Sequence, residues 1–276
     1  PALLGVSVSQ INLLLDTVLA TFLQKGSISW LYYSDRLLEL PLALFGIAIA
    51  TVILPALSAD YAKSDEDRFA AKLDWAIRLV LLFGLPASIA LVILADVLIA
   101  TIFYHGAMTQ FDLVMAGLSL KAYAAGLTAH MMVKVLAPGF FARQDMKTPV
   151  KIGIIALVTN MVFNLVLIGF LGHIGLALAT SISAFVNAFL LWRALSMSSI
   201  YRPGAQWLKF IVRIGLALVL MQGLLLMIVP SLDQWLSYAL KDQILALVGL
   251  CAAGSALYLI TLWLLGLRVS DFRDQI

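Results

Sequence analysis

The chain has 276 residues, 63% hydrophobic and 12% charged, with a formal net charge of +3 and a mean hydropathy of +1.03. A soluble globular domain carries about twice that share of charged residues, so this class is excluded, and so small a net charge gives no reason to expect nucleic acid as a partner. The composition is that of an all-α polytopic membrane protein.

Eight spanning helices are predicted, at roughly 2–24, 28–57, 67–103, 110–142, 148–170, 174–197, 206–229 and 241–266, each an apolar run of about twenty residues or more. The first run starts at Pro1 without a basic n-region, which reads as a piece of a longer chain and not as a signal peptide. In the second connection Ser64 and Asp67 are spaced as a capping box, ahead of an acidic first turn that suits the helix dipole. Cys251 is the one cysteine of the chain and lies in the last apolar run, so neither a disulfide framework nor a cysteine-based metal site is expected. His105, His130 and His173 are far apart in sequence and show no hydrolytic or zinc-binding spacing.

Basic residues from Lys63, Arg68, Arg143 and Lys147 to Arg202, Arg268 and Arg273 fall at alternate helix ends, while Lys25 and Lys241 mark the other side. The positive-inside rule therefore predicts a cytoplasmic C-terminus and cytoplasmic connections near 58–67, 143–147 and 198–206.

Arg36, Lys121 and Lys134 fit neither set of loops. A charge at the bilayer centre costs about 2.5–3.5 kcal/mol on insertion scales, so such residues usually face a bundle interior or a watery cavity. Lys121 is near enough to its helix end to snorkel outward. Pro138 removes the N–H that would bond the Lys134 carbonyl, and Pro41 does the same just beyond Arg36. Asp35 and Glu39 flank Arg36 at helical spacing. Two readings stand: a self-satisfied ion cluster joining helices, or a polar cavity wall offering a guanidinium to a phosphate or carboxylate.

A second constellation follows from depth. Asp16 lies about nine residues from the turn at Lys25, and Asn164 and Thr180 each lie about eight from the turn at Gly172, which puts all three at one level. Asn160 is one turn from Asn164 on the same face. If the helices adjoin, these oxygens suit a hard monovalent cation. Otherwise the amides and hydroxyl are interhelical hydrogen-bond glue and Asp16 is a partner for Arg36.

The blocks "GVSVSQINLLLDTVLATFL", "GSISWLYYSDRLLELPLALFGIAIATVILPALS" and "VKVLAPGFFARQDMKTPVKI" resemble the second half of the MurJ/MviN lipid II flippases, within the multidrug/oligosaccharidyl-lipid/polysaccharide exporter superfamily. The resemblance implies that the eight helices are the seventh to fourteenth of fourteen. Residues 1–198 would be the second six-helix lobe and 199–276 a helix pair forming a groove for a lipid tail. It further implies alternating-access transport, without bond chemistry, of the undecaprenyl-diphosphate-linked peptidoglycan precursor lipid II to the outer leaflet of the bacterial inner membrane. The partners would be lipid II, membrane lipids and the absent N-terminal lobe. By the same resemblance Asp35, Arg36, Glu39 and Lys134 line the substrate cavity. Asp16, Asn160, Asn164 and Thr180 fall on a sodium site of some members, with Asn164 where that site carries a second carboxylate. Sodium or proton coupling would then drive the cycle, with no other cofactor. The rival expectations are a sibling exporter for another lipid-linked oligosaccharide or for drugs, and a membrane enzyme using the acidic 59–67 connection.

Overall fold

A computed structural model describes residues 2–198, 200, 201, 204 and 206–268, with side chains from Gln10 onward. Arg202 and Arg273, used above for orientation, lie outside the described residues. Eleven α-helices run through the described residues, which contain no strand. They are α1 (Ala2–Thr21), α2 (Ser27–Pro41), α3 (Ala48–Ala62), α4 (Glu66–Phe103), α5 (Gln110–Ala125), α6 (Leu127–Phe141), α7 (Lys147–Leu171), α8 (His173–Met197), α9 (Trp207–Ile228), α10 (Leu232–Ser237) and α11 (Leu240–Leu264). Seven stretches are long and apolar enough to cross a membrane: Ser27–Ala62, Gln110–Phe141 and α4, α7, α8, α9 and α11. The twenty-residue α1, its first eight side chains undescribed, stands in the place of the predicted first span, 2–24.

The predicted second span is one helical path with a defect. Pro41 cannot donate to the Leu37 carbonyl, and the helix widens into a π-helical turn over Leu42–Ile47 before α3 continues it. The predicted fourth span is broken at Gly126. There Ser181 of α8 donates to the Ala122 carbonyl at 2.7 Å, and a Cβ on Gly126 would lie 2.7 Å from Ser181 Cα. Close approach of α8 thus removes carbonyls from the ladder and leaves room only for glycine.

Two turns at one end of the bundle share a construction. Ser64 and Gln144 have φ of 55° and 61°. In each case the following aspartate returns its N–H to the helix just ended, Asp65 to Asp60 and Asp145 to Phe140, as in a Schellman turn. Asp65 then accepts from the Arg68 N–H, and Asp145 from the N–H groups of Lys147 and Thr148. The expected Ser64–Asp67 capping box is therefore corrected: Ser64 closes α3 in a left-handed conformation, and Asp65 is the cap of α4.

Helix α4 is the spine. It packs against α3, α5 and α6 on one side and α9 and α11 on the other, and it is tied to the last helices at both ends. Near its start, Asp74 accepts from the Tyr201 hydroxyl at 2.7 Å and the Trp207 indole at 2.6 Å, and pairs with Arg78 at 2.6 Å. Arg78 also lies over the Trp207 and Phe210 rings. Burial and the Asp74 carboxylate push the Tyr201 phenol up from its usual range, so it stays a donor. Near the end of α4, the buried Trp235 of α10 donates to Thr101 Oγ1 at 3.0 Å. The connection between the predicted spans 206–229 and 241–266 holds α10, started by a capping box in which Ser231 and Gln234 cap each other.

Candidate functional site

Arg36 and Glu39 form an ion pair at 2.6 Å, with both side chains 51% exposed. The guanidinium also lies 4.9 Å from the Tyr32 ring centroid. Asp35 does not join them. Successive helical residues point about 100° apart, and the half-buried Asp35 makes no ion pair with Arg36. The expectation that both carboxylates hold Arg36 is corrected to Glu39 alone. Lys134 on α6 is exposed and is paired with no carboxylate among the described residues. Arg36 and Lys134 stand on helices separated by the π turn, which packs between α2 and α6. Within the apolar spans Ser27–Ala62 and Gln110–Phe141, Arg36 is nine residues and Lys134 seven residues from the nearer end, or roughly 10–14 Å at 1.5 Å per residue. Lys121 does not snorkel freely: its ammonium meets Asp96 Oδ2 of α4 at 2.7 Å, a contact for which Gly117 leaves the space, since a Cβ there would collide with Asp96 Oδ1.

The second constellation is brought together. Helix α1 lies against α7 and α8, and Asp16 accepts from Asn164 Nδ2 at 2.6 Å and from the Thr180 hydroxyl at 3.1 Å. Asp16 is therefore not the partner of Arg36. The Asn160 amide fits the ring in two orientations, assigned by its neighbours. In one, its oxygen accepts from Asn164 Nδ2 at 2.8 Å and its nitrogen donates to Thr180 Oγ1 at 3.2 Å. In the other, its nitrogen donates to Asn12 Oδ1 at 2.8 Å and to Asp16 Oδ1 at 3.2 Å. Asn12 was missed in the sequence, although it sits four residues before Asp16 and hence on the same face.

Asn160 and Asn164 are fully buried, and Asn164 Oδ1 has no hydrogen-bond partner. A buried amide oxygen without a donor costs about 1–3 kcal/mol. Beside a carboxylate, two amides and a hydroxyl, this orphan acceptor fits a small hard cation better than a self-sufficient hydrogen-bond cluster. Among the described residues no three His, Cys, Asp or Glu side chains gather as a metal cluster, and Asp16 is the one carboxylate of the ring.

Between α4, α9 and α11 lies an apolar groove of about 310 Å³, walled by Phe83, Ala87, Met221, Leu250 and Tyr258, with Phe45 of the π turn at one side.

The chain matches the family model described as lipid II flippase MurJ over residues 1–245. It is 50% identical over 273 residues to a probable lipid II flippase MurJ of Vibrio cholerae, covering 99% of this chain and 52% of that protein. It is 36% identical over 277 residues to the lipid II flippase MurJ of Burkholderia cenocepacia, covering all of this chain and 54% of that protein. The chain thus spans about half the length of the curated relatives it matches. Among solved structures, a lipid II flippase MurJ in an inward closed conformation superposes with a TM-score of 0.77 at 28% identity, over 93% of this chain and 51% of that one. An outward-facing multidrug resistance transporter of the MATE family has the same fold, with a TM-score of 0.64 at 16% identity, over 94% of this chain and 61% of that one. With a family model covering most of its length and relatives at half identity, this multi-pass membrane chain belongs to the lipid II flippase MurJ family.

Proposed function

We propose that the protein to which this chain belongs moves lipid II from the inner to the outer leaflet of the bacterial cytoplasmic membrane by alternating access. In this reading residues 1–198 act as one lobe, residues 199–276 as a tail-binding pair, and the C-terminus is cytoplasmic. A first lobe completes the cavity. The observation that carries it is the exposed Arg36, whose one paired carboxylate is Glu39, together with the exposed Lys134, which no described carboxylate pairs, at membrane depth. Exposed cations there are costly unless a watery cavity receives them. Their charge suits a diphosphate, with guanidinium and ammonium replacing the hydration that the headgroup leaves behind. The half-buried Asp35 belongs to the same wall beside Arg36. No bond is made or broken.

A sodium ion or proton at Asp16, Asn160, Asn164 and Thr180 would bias the cycle. Asp16 would balance its charge, the Asn164 oxygen would gain the partner it lacks, and the ring ties α1 to the α7–α8 hairpin. Ion occupancy would therefore set how those helices sit. The membrane potential adds about 2.3 kcal/mol per charge per 100 mV to such a step.

The test is complementation by the full-length parent in cells depleted of their own lipid II flippase, with precursor exposure on the outer leaflet assayed directly. Rescue is expected, and is expected to disappear in Arg36→Ala and Lys134→Ala at unchanged membrane levels. A well-inserted parent that fails to rescue would overturn the lipid II reading in favour of a sibling exporter with another lipid-linked cargo.

A further inference from the structure

Pro86 lies in the middle of α4 and cannot donate to the Leu82 carbonyl one turn earlier. At that depth no water replaces the missing bond, so the carbonyl needs a partner from the protein. The partner comes from another helix: the Tyr258 hydroxyl of α11 donates to the Leu82 carbonyl at 2.9 Å in a buried contact. Tyr258 is only 3% exposed. Pro41 is accommodated differently, by the π turn within its own helix. The cross-helix contact at Pro86 thus joins the proline turn of α4 to the position of α11. One turn before Tyr258, Gly254 lets α9 approach, with Leu225 Cδ2 3.2 Å from where a Cβ would stand. Pro86, Leu225, Gly254 and Tyr258 all line the apolar groove.

We propose that Tyr258 is a positioning residue: its hydroxyl takes up the Leu82 carbonyl that Pro86 leaves unbonded, and so holds α4 against α11 and sets the width of the groove for an apolar lipid tail. This rests on the reading of the groove as a tail site. Without the hydroxyl, Leu82 regains a partner only if α4 shifts so that another donor reaches its carbonyl, since Pro86 has no N–H to offer, and that movement reshapes the groove wall.

Cys251 lines the same groove and is exposed to it, which makes it a built-in reporter. The experiment uses the full-length protein, with any cysteine outside these residues replaced by serine. It carries a nitroxide on Cys251 in phosphatidylcholine vesicles holding increasing mole fractions of a long-chain polyprenyl phosphate. In the unsubstituted protein the lipid is expected to slow the nitroxide. Tyr258→Phe keeps the ring and loses only the hydroxyl, and about tenfold more lipid is then expected to be needed for the same slowing. Pro86→Ala returns an N–H to the Leu82 carbonyl, so adding Tyr258→Phe to Pro86→Ala is expected to change nothing further. That silence separates the hydrogen bond from mere packing of the ring. The inference is overturned if Tyr258→Phe binds like the parent, or if it costs as much in the Pro86→Ala background as beside the native proline. A nitroxide indifferent to the lipid in the unsubstituted protein would overturn the tail-site reading itself, and this inference with it.

Discussion

Replacing Asn164 by Asp asks whether the buried ring is an ion site. Its amide nitrogen lies 2.6 Å from Asp16 Oδ1 and its oxygen has no partner. In Asn164→Asp the donor becomes an acceptor and the attraction becomes repulsion. Two carboxylates with charge centres about 4 Å apart repel by about 4 kcal/mol at an effective dielectric of 20. Without a cation or a shared proton, the variant is expected to be less stable than the parent by a sizeable part of that amount. A sodium ion between them reverses the sign, and at a concentration 100 times its Kd it returns about 2.7 kcal/mol. The assay is thermal unfolding of the purified full-length protein in detergent, in sodium chloride against choline chloride at equal ionic strength and pH 8. The parent is expected to gain a small sodium-specific stabilisation, Asn164→Asp a larger one, and Asp16→Asn none. A variant that is destabilised in choline and stays so at every sodium concentration would refute the ion-site reasoning and leave the ring as hydrogen-bond glue between α1 and the α7–α8 hairpin.

Five further substitutions have expected outcomes. Asp74→Ala strands the largely buried Arg78, whose side chain is 18% exposed, and should cost about 3–5 kcal/mol. Tyr201→Phe, which removes one hydrogen bond to the same carboxylate, should cost about 1.5–3 kcal/mol, both read by chemical unfolding. The Thr148 hydroxyl, backbone N–H groups and Arg143 hold the Asp145 carboxyl below its usual range. Its contribution is therefore fully present above the ordinary carboxylate pKa of about 3.9 and is lost as pH falls through the lower folded value. Asp145→Ala should cost about 1 kcal/mol at neutral pH and remove that acid-side dependence from a pH series of unfolding curves. Gly126→Ala would set a Cβ 2.6 Å from Ser181 Oγ and should cost about 1–3 kcal/mol by overpacking. Gly223→Ala on α9 meets nothing within 4 Å and should be neutral or stabilising by up to about 1 kcal/mol. Equal effects at the two glycines would refute the close-approach account of the break between α5 and α6.

What the sequence disclosed and what it hid divide along and around the helix axis. Position along the axis is a count of residues from a turn, and in antiparallel spans equal counts mean equal depth. That is why Asp16, Asn164 and Thr180 could be placed at one level before any helix was packed, and why their side chains do meet. The same arithmetic held a partner for Lys121. Asp96 lies seven residues from the end of α4 and Lys121 eleven from the start of α5, a difference of about 6 Å at 1.5 Å per residue that a lysine side chain can span. Rotation about the axis is only partly legible. Helical spacing permits Glu39 to reach Arg36 and turns Asp35 away, yet it says nothing of what Asp35 faces, because that depends on which helix packs there. Breaks in the ladder are the least legible. Pro41, Pro86 and Pro138 announce a missing N–H, but whether the freed carbonyl is met by a π turn, as after Pro41, or by a hydroxyl from a helix more than 170 residues later, as at Leu82, is decided by packing. Gly126 announces nothing, since its break comes from Ser181 pressing in from α8. Substrate and ion chemistry can thus be sought at levels that a count of residues reveals, while the bends that shape a cavity or a groove have to be read from the helices packed against them.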